Sequence, residues 1–214
     1  MLTGVALGYR PEMSVFLDTT TGIGLAGATG VRPYLPPLLA GGLARGDVGI
    51  DFDGTDWRFL ESTGFLLAVL AVGVIAYLVE RSEVNRPQPD DGSGRRSAIE
   101  IFSGVAGVVL GAMLFAGALA DGGTESWPGL LGGALCALLG WRAVGGLIER
   151  ARTRLEGGAA ALLTAYADAI ALLLAAIAIF LPPASLLAIA AFVFLLVSGG
   201  RREGEKYAGL RILR

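Results

Sequence analysis

The 214-residue sequence contains no histidine, and cysteine and lysine occur once each. Without histidine the chain lacks the commonest metal ligand of proteins and the usual general base near neutral pH. Cys136 has no second cysteine to pair with, so a disulfide within the chain and a cysteine-pair metal site are both excluded. No nucleophile–base pair can be recognised either. We therefore expect no metal, no cofactor and no enzymatic activity.

An excess of charge of one sign is also missing. The chain has 17 basic and 19 acidic residues, which gives a formal charge of −2. Since nucleic-acid binding proteins normally carry a basic face, we expect no nucleic-acid partner. Apolar residues, in contrast, are abundant: 54% of the chain is hydrophobic, 33 further residues are glycine, and the mean hydropathy is +0.64. Soluble domains are about 45–50% apolar with glycine included, so the predicted partner of this chain is the lipid bilayer.

Long apolar runs follow one another along the chain. A helix needs about 20 apolar residues to cross a hydrocarbon core of about 30 Å. Five segments meet this need: 62–80, 98–120, 128–148, 159–181 and 184–200, the last of them after the pair Pro182–Pro183. Together with an irregular first segment they predict an all-α, polytopic transmembrane helix bundle of about six spans. The bundle would form a single integral membrane domain over residues 1–214.

The first segment, 14–45, is interrupted by prolines. Pro33, Pro36 and Pro37 lack a backbone N–H, so one continuous helix is not expected there. As a single helix the segment would also be about 48 Å long, which exceeds a straight crossing. Two structures remain open: one broken and tilted span, or a re-entrant hairpin. Irregular backbone at membrane depth is tolerated only where protein or a water-filled cavity surrounds it.

The loops alternate in charge. Residues 81–97 and 201–214 are rich in arginine, whereas loops 46–61 and 121–127 are acidic. Because arginine and lysine are retained on the cytoplasmic side, we predict a cytoplasmic hydrophilic linker at 81–97 and a cytoplasmic tail at 201–214. If segment 14–45 crosses the membrane once, both termini are cytoplasmic.

Small residues recur every four positions on two spans. The two seams are Ser103, Gly107 and Gly111 on one span, and Gly129, Gly133 and Ala137 on the next. Such seams allow helices to approach closely in lipid, where the hydrophobic effect does not drive association. They indicate close helix packing, either within the chain or between copies of it.

Two short segments resemble sequence motifs of soluble enzymes. Residues 22–27 read GIGLAG, which matches the dinucleotide-binding fingerprint, but the strand that should precede it is missing. Residues 47–55 read DVGIDFDGT, in which Asp51 and Asp53 resemble the signature of haloacid-dehalogenase phosphatases. The surrounding loop is far too short for that domain. We interpret it as a solvated acidic loop with weak affinity for divalent cations.

Charged residues within the predicted spans carry the main functional signal. Arg142 lies about 9 Å, and Asp168 about 14 Å, from the inner boundary, so they would form an ion pair if their helices are neighbours. Thr164 and Tyr166 lie just before Asp168 and could donate hydrogen bonds. Arg32 adds a charge at the proline break. Ionisable groups within a bilayer are costly and by default mark a functional site.

The two halves of the chain show weak internal sequence similarity. Gly30-Val31-Arg32 is followed by GGLAR, and Gly140-Trp141-Arg142 by GGLIER. In addition, residues 60–72 resemble residues 167–179. Three spans repeated once would be inverted in the membrane, as in many secondary transporters. A three-plus-three inverted repeat is therefore a hypothesis for the architecture.

The order of these features resembles a bacterial family of membrane proteins known as domain of unknown function 4126. Its helix break is matched by Gly30, Arg32, Tyr34 and Pro36, its acidic helix start by Asp168, and its tail by residues 205–214. The resemblance covers nearly the whole chain. It implies a multi-pass protein of a prokaryotic plasma membrane and no particular activity.

Two functions are compatible with this sequence. The first is a small transporter or channel for a polar or anionic solute or a lipid head group, with Asp168 as counter-ion or proton-coupled carboxylate. The expected binding residues are Arg32, Tyr34, Arg142, Asp168, Tyr166 and Thr164. The alternative is a non-catalytic assembly or regulatory protein, in which the small-residue seams form a homo-oligomer or partner interface and the charges are structural.

Overall fold

The computed structural model of the protein describes residues 11–84, 98–152 and 157–208, and within these ranges all regular elements are helices. The helices are α1 (Pro11–Val31), α2 (Leu35–Ala44), α3 (Thr63–Val84), α4 (Ala98–Asp121), α5 (Trp127–Arg152), α6 (Gly157–Phe180) and α7 (Ser185–Ala208). Two short 3₁₀ helices, Arg58–Glu61 and Pro182–Ala184, precede α3 and α7. The predicted all-α class is confirmed. Most of the predicted linker, at 85–97, and the end of the predicted tail, at 209–214, lie outside the described residues.

Among the residues that the structure describes, four helices are long and apolar enough to cross a membrane. Their apolar stretches are Thr63–Ser82, Glu100–Asp121, Trp127–Ile148 and Leu162–Phe180. They coincide with four of the predicted spans. The fifth, on α7, is shorter, with an apolar part at Pro182–Ser198. This is the composition of a helical membrane protein.

α1 is the central helix of the bundle. It contacts α2, α4, α5, α6 and α7, and from Thr20 to Val31 every residue except Ile23 is buried. Small residues dominate this stretch, so the surrounding helices can approach its backbone. The buried hydroxyls of Thr20 and Thr29 donate hydrogen bonds to carbonyls of their own helix, three or four residues back. Their polarity is therefore satisfied without a partner from another helix.

Both small-residue seams are used inside the chain. A Cβ added to Gly30 of α1 would overlap the carbonyl oxygen of Ala137 on α5, and one added to Gly140 would overlap that of Gly27. The glycines of α4 meet α1 in the same way: Gly107 and Gly111 lie on the backbones of Thr29 and Ala26. Gly129 and Gly133 of α5 lie on the α4 backbone at Ala116 and Ala112. The seams are thus explained by intramolecular packing.

Segment 14–45 folds as a helical hairpin. α1 ends at Val31, residues 32–34 form the break, and α2 begins at Leu35 with prolines in its first turn, where a missing N–H is tolerated. Ala40 and Ala44 of α2 belong to the same buried cluster as Leu25 and Ala28 of α1. α2 therefore turns back along α1. Of the two structures left open by the sequence, this geometry matches the hairpin.

The contacts define two ends of the bundle. At the loop end lie residues 45–62, 122–126 and 181–184; at the break end lie residues 32–34 and the start of α6. Asp18, near the start of α1, meets Gly122 at the loop end, whereas Arg32 reaches Glu80 and Thr164 at the break end. α7 starts beside Thr20 at the loop end and passes Gly27 on its way to the break end. The start of α1 and the end of α7 are therefore at opposite ends.

α3 lies at the periphery. Its contacts are mainly with α2 and the 3₁₀ helix before it. Only 11% of its apolar stretch is buried inside the protein, compared with 44% for α4. Large side chains such as Leu67, Ile75 and Leu78 are more than half exposed. This helix offers most of its surface to lipid or to another protein.

Candidate functional site

Arg32 lies where α1 stops. Its N–H donates the last helical hydrogen bond, to the carbonyl of Ala28 at 3.1 Å. Pro33 follows and cannot continue the pattern because it has no N–H. The arginine side chain leaves the helix end and extends between α3 and α6. It is 19% exposed.

Three groups from two other helices surround the Arg32 guanidinium. Nε lies 2.6 Å from Oδ1 of Asp168 on α6, and Nη1 lies 3.3 Å from Oε2 of Glu80 on α3. Nη2–H donates to the carbonyl of Thr164 at 3.5 Å. The Nε–H does not point at its neighbour as in a well-aligned hydrogen bond, so the contact with Asp168 is an ion pair. We refer to Arg32, Asp168 and Glu80 as the charge cluster.

The charge cluster lies just inside the break end. Asp168 is six residues past the start of the apolar stretch of α6, which corresponds to about 9 Å of helix, and Glu80 is two residues before the end of that of α3. The side chains of Asp168 and Glu80 are 34% and 27% exposed. The groups are thus partly exposed and paired. Pairing of this kind is what makes ionised groups tolerable at membrane depth.

Tyr34 stands next to the charge cluster. Its ring packs against Gly73 of α3, where a Cβ would approach the tyrosine to 3.0 Å. Its hydroxyl is buried and faces the side chain of Ser103 on α4, although the two do not form a hydrogen bond of good geometry. Tyr34 closes the side of the break that faces α4.

Two predicted binding residues lie elsewhere. Arg142 is exposed on α5 and forms no ion pair within the described residues. Its expected partnership with Asp168 required neighbouring helices, but α1 lies between α5 and α6, which hardly touch. Asp168 pairs with Arg32 instead. Tyr166 is 68% exposed and is not among the groups that contact the Arg32 guanidinium. Because Arg32 and Arg142 have different surroundings, the inverted repeat that aligned them stays a prediction.

Glu80 is the member of the cluster that sequence reasoning missed. It ends the apolar run of α3 and is followed by Arg81, so it looks like the first residue of a polar loop. An acidic residue in the last turn of a span, level with a charged helix break, could have been the signal. To place Glu80 beside Arg32 at the break, one must know that α3 packs against α2.

A second group of carboxylates lies at the loop end. Oxygens of Asp51, Asp53 and Glu61 lie within 4.8 Å of one another, and Asp53 also meets Nε of Arg58 at 3.1 Å. Burial raises the pKa of the Glu61 carboxyl, and the hydrogen bond and the charge of Asp53 raise it further. A groove of about 570 Å³ runs beside these residues. The acidic loop predicted from the sequence thus brings three potential oxygen ligands together.

The two enzyme-like motifs have structural roles. Residues 22–27 lie within α1, where Gly22 and Gly24 make room for Phe115 and Ser185. Residues 47–55 belong to the loop that follows α2, in which Ile50 and Phe52 are buried in the core. Neither motif lies between a strand and a helix, as nucleotide binding or phosphatase chemistry would need.

Comparison with known proteins gives one family. The family model described as Domain of unknown function (DUF4126) matches residues 19–202, and the chain therefore belongs to this family. The suspected resemblance is confirmed. No curated protein and no solved structure matches the chain.

Proposed function

We propose that this member of the domain of unknown function 4126 family is a small multi-pass transporter with the charge cluster as its solute-binding site. The observation that carries the proposal is the convergence of three ionisable side chains at the break in the central hairpin: Arg32 of the break itself, Glu80 of α3 and Asp168 of α6. Discontinuous helices at membrane depth are the usual location of solute and ion sites in secondary transporters. Half-buried charges are costly to place there and by default mark function.

The arrangement also fits a site that changes its contacts. The cluster joins the hairpin tip to α3 and α6, of which α3 is the least embedded helix. A solute that binds Arg32 or its carboxylates would alter the contacts between these three elements. If solute binding is coupled to movement of the peripheral helix α3, that movement can open and close a path for the solute through the protein.

The test is tracer uptake into liposomes that contain the purified protein. The panel includes sodium, guanidinium, chloride and phosphate. Asp168→Asn is expected to reduce uptake of the transported solute at least about tenfold, the loss that corresponds to one charge-assisted contact of about 1.4 kcal/mol. Arg142→Gln is the matched control, because it removes an exposed charge of α5, a span remote from the cluster, and should leave uptake unchanged. Uptake no greater than in protein-free liposomes for the whole panel would refute the proposal.

We also propose how the protein lies in the membrane. The break end, with the arginine-rich linker and tail, faces the cytoplasm, and the acidic loop end faces outward. Because α1 starts at the loop end, the N-terminus would be external and the C-terminus cytoplasmic. This replaces the expectation that both termini are cytoplasmic, which assumed a single crossing by residues 14–45. The host membrane is the plasma membrane of a prokaryote.

The second candidate function is an assembly or regulatory role. The small-residue seams no longer support it, since they pack inside the chain. The exposed apolar surface of α3 supports the assembly role. A helix with so little intramolecular packing is a suitable interface for another membrane protein or for a second copy of this chain. Crosslinking from Ile75→Cys in a Cys136→Ala background tests it. A defined dimer or hetero-complex would favour assembly, and labelling without crosslinks would disfavour it.

A further inference from the structure

The groove at the loop end lies at the level of the lipid head groups. It has a volume of about 570 Å³, and its lining extends from Ala44, the last residue of α2, to Thr63, where the apolar stretch of α3 begins. The boundary between a polar loop and an apolar span is where the head groups of a bilayer lie. Trp57 packs against Phe59 of the groove, with ring centroids 5.9 Å apart, and tryptophan is enriched at this depth. We refer to this groove as the interfacial groove.

The charges that line the interfacial groove are unequally paired. Arg45 contacts the hydroxyl of Thr63 and forms no ion pair within the described residues. Carboxyl oxygens of Asp53 and Glu61 lie within 4.8 Å of each other, and Arg58 contacts the Asp53 carboxyl at 3.1 Å. The groove thus presents a guanidinium without a carboxylate partner together with a group of crowded carboxylates.

An exposed apolar face of α3 continues from the groove into the membrane. Leu67, Leu70 and Val74 follow Thr63 at helical spacing, so all four residues lie on one face of the helix. Their side chains are 59%, 48% and 49% exposed in the order given. We refer to these four residues as the Thr63 face. A polar groove that contains charges of both signs therefore joins an apolar surface about three helical turns long.

We propose that the interfacial groove and the Thr63 face together bind one phospholipid with an ethanolamine head group. Its phosphate lies at Arg45, its ammonium lies at the Asp53 and Glu61 carboxylates, and an acyl chain lies along α3. The proposal goes beyond the transport function and does not depend on it.

The chemistry of the groove favours this head group over others. A guanidinium without a carboxylate partner is well suited to phosphate, which it can bind through two parallel N–H donors. A primary ammonium has three N–H donors for the carboxylates, whereas the trimethylated ammonium of choline has none. A head group with a phosphate and no cation would place its negative charge beside the carboxylates without compensating them. Charge complementarity therefore selects a zwitterion with a hydrogen-bonding cation.

The experiment measures which lipids lie against the Thr63 face. Leu67→Cys in a Cys136→Ala background carries a bimane label, and the protein is reconstituted into phosphatidylcholine bilayers with a chelator that removes divalent cations. Lipids with brominated acyl chains quench the label when they contact it. Titration with brominated phosphatidylethanolamine, phosphatidylglycerol and phosphatidylcholine gives the relative affinity of each head group. Ile75→Cys, which is about a third of a turn away from the Thr63 face, is the matched control on the same helix.

We expect phosphatidylethanolamine to bind beside Leu67→Cys at least about threefold more tightly than phosphatidylcholine, and to show no preference at Ile75→Cys. Arg45→Gln and Glu61→Gln should each abolish most of the preference, and Arg45→Lys should retain part of it. Arg142→Gln, at an exposed arginine of α5, should retain all of it. Equal affinities of the three lipids would overturn the proposal, and a preference for phosphatidylglycerol as strong as that for phosphatidylethanolamine would overturn the zwitterionic assignment.

Two further measurements keep the outcome clear. Leu70→Cys on the same face replaces Leu67→Cys if that labelled protein does not fold, and it should show the same preference. Glycerophosphoethanolamine, which is the head group without acyl chains, should compete only weakly; complete competition at equal concentration would show that a soluble compound is the ligand and not a membrane lipid. Loss of the head-group preference with unchanged solute uptake would remove this inference alone, whereas loss of uptake with an unchanged preference would remove the transport function alone.

Discussion

At the residue scale, Arg32 and Asp168 share the closest ionic contact of the described residues, at 2.6 Å between Nε and Oδ1. Loss of either partner leaves the other charge half-buried with fewer contacts, which costs more than the pair itself contributes. The free energies of unfolding of single and double variants should therefore be strongly non-additive. This distinguishes a direct contact from two independent charges.

The first prediction uses that non-additivity. Arg32→Gln and Asp168→Asn should each lower the free energy of unfolding by about 1–3 kcal/mol, and the double variant should lose less than their sum by about 1 kcal/mol or more. Chemical unfolding in detergent gives all three values. The parallel cycle of Arg142→Gln with Asp168→Asn should be additive within about 0.5 kcal/mol. Coupling of Asp168 to Arg142 rather than to Arg32 would show that the helices pack differently.

The second prediction concerns the acidic loop. The pKa of Glu61 is raised above its ordinary value by burial and by Asp53, so the folded loop binds the proton more tightly than the unfolded chain. The corresponding stability is present at acidic pH and is lost as the pH rises from the ordinary pKa through the raised one.

In Glu61→Gln the loss of stability at rising pH should not occur, because the glutamine side chain cannot ionise. Its thermal unfolding temperature should exceed that of wild type at neutral pH, and the two should converge at acidic pH. Thermal scans between about pH 4 and about pH 8 check this. Asp56→Asn, at an exposed carboxyl of the same loop, controls for a general reduction of negative charge and should show a smaller dependence on pH. A Glu61→Gln advantage that grows toward acidic pH would contradict the assigned shift.

Single residues also show how far the sequence could lead. Arg32 and Asp168 were predicted as functional because charges in apolar segments are costly whatever their neighbours. Their pairing could not be derived, since helical rise gives depth and not the order of helices around the bundle. Arg142 lies at a depth similar to that of Asp168, but it is on α5, which hardly contacts the helix of Asp168. Glu80 was overlooked because hydropathy alone places it in a loop.

At the scale of the elements, the backbones of α1 and α5 approach each other closely at two glycines. Gly30 and Gly140 each face a backbone carbonyl of the other helix so closely that a methyl group would overlap it. The backbones would have to separate to accommodate a side chain, and each helix has several other neighbours that resist this. Overpacking of well-packed helices costs about 1–3 kcal/mol.

The third prediction compares two glycines with the same substitution. Gly140→Ala should lower the free energy of unfolding by about 1–3 kcal/mol. Gly42→Ala, in α2 with no atom within 4 Å of the added methyl, should be neutral or stabilising by up to about 1 kcal/mol, because alanine favours helix. Unfolding of both variants in the same detergent provides the comparison. Equal effects at the two positions would argue against the close approach of α1 and α5.

The elements differ in how well the sequence predicts them. Hydropathy identified α3, α4, α5 and α6 because a crossing helix needs a long apolar run regardless of its neighbours. α1 carries glycine, alanine and threonine in place of large apolar residues, since its surroundings are protein and not lipid. Prolines predicted the break after Val31, but a kinked span and a hairpin need the same prolines. Only the packing of α2 against Leu25 and Ala28 separates them.

At the scale of the whole molecule, α1 forms the axis around which the other helices are arranged. Asp18, in its first half, meets Gly122 at the loop end, and its last residue, Val31, is followed by Arg32 of the charge cluster at the break end. Helices α4 to α7 then alternate in direction, so α7 finishes at the break end. The start of α1 and the end of α7 would consequently lie on opposite sides of the membrane.

The fourth prediction tests this arrangement, on which both the hairpin and the position of the charge cluster depend. Impermeant labels are applied to intact cells that express the protein with a tag at the N-terminus, a tag at the C-terminus, or Thr55→Cys in a Cys136→Ala background. We predict that the N-terminal tag and Thr55→Cys are labelled from outside and that the C-terminal tag is labelled only after permeabilisation. Labelling of both termini from the same side would contradict a central hairpin entered from the loop end.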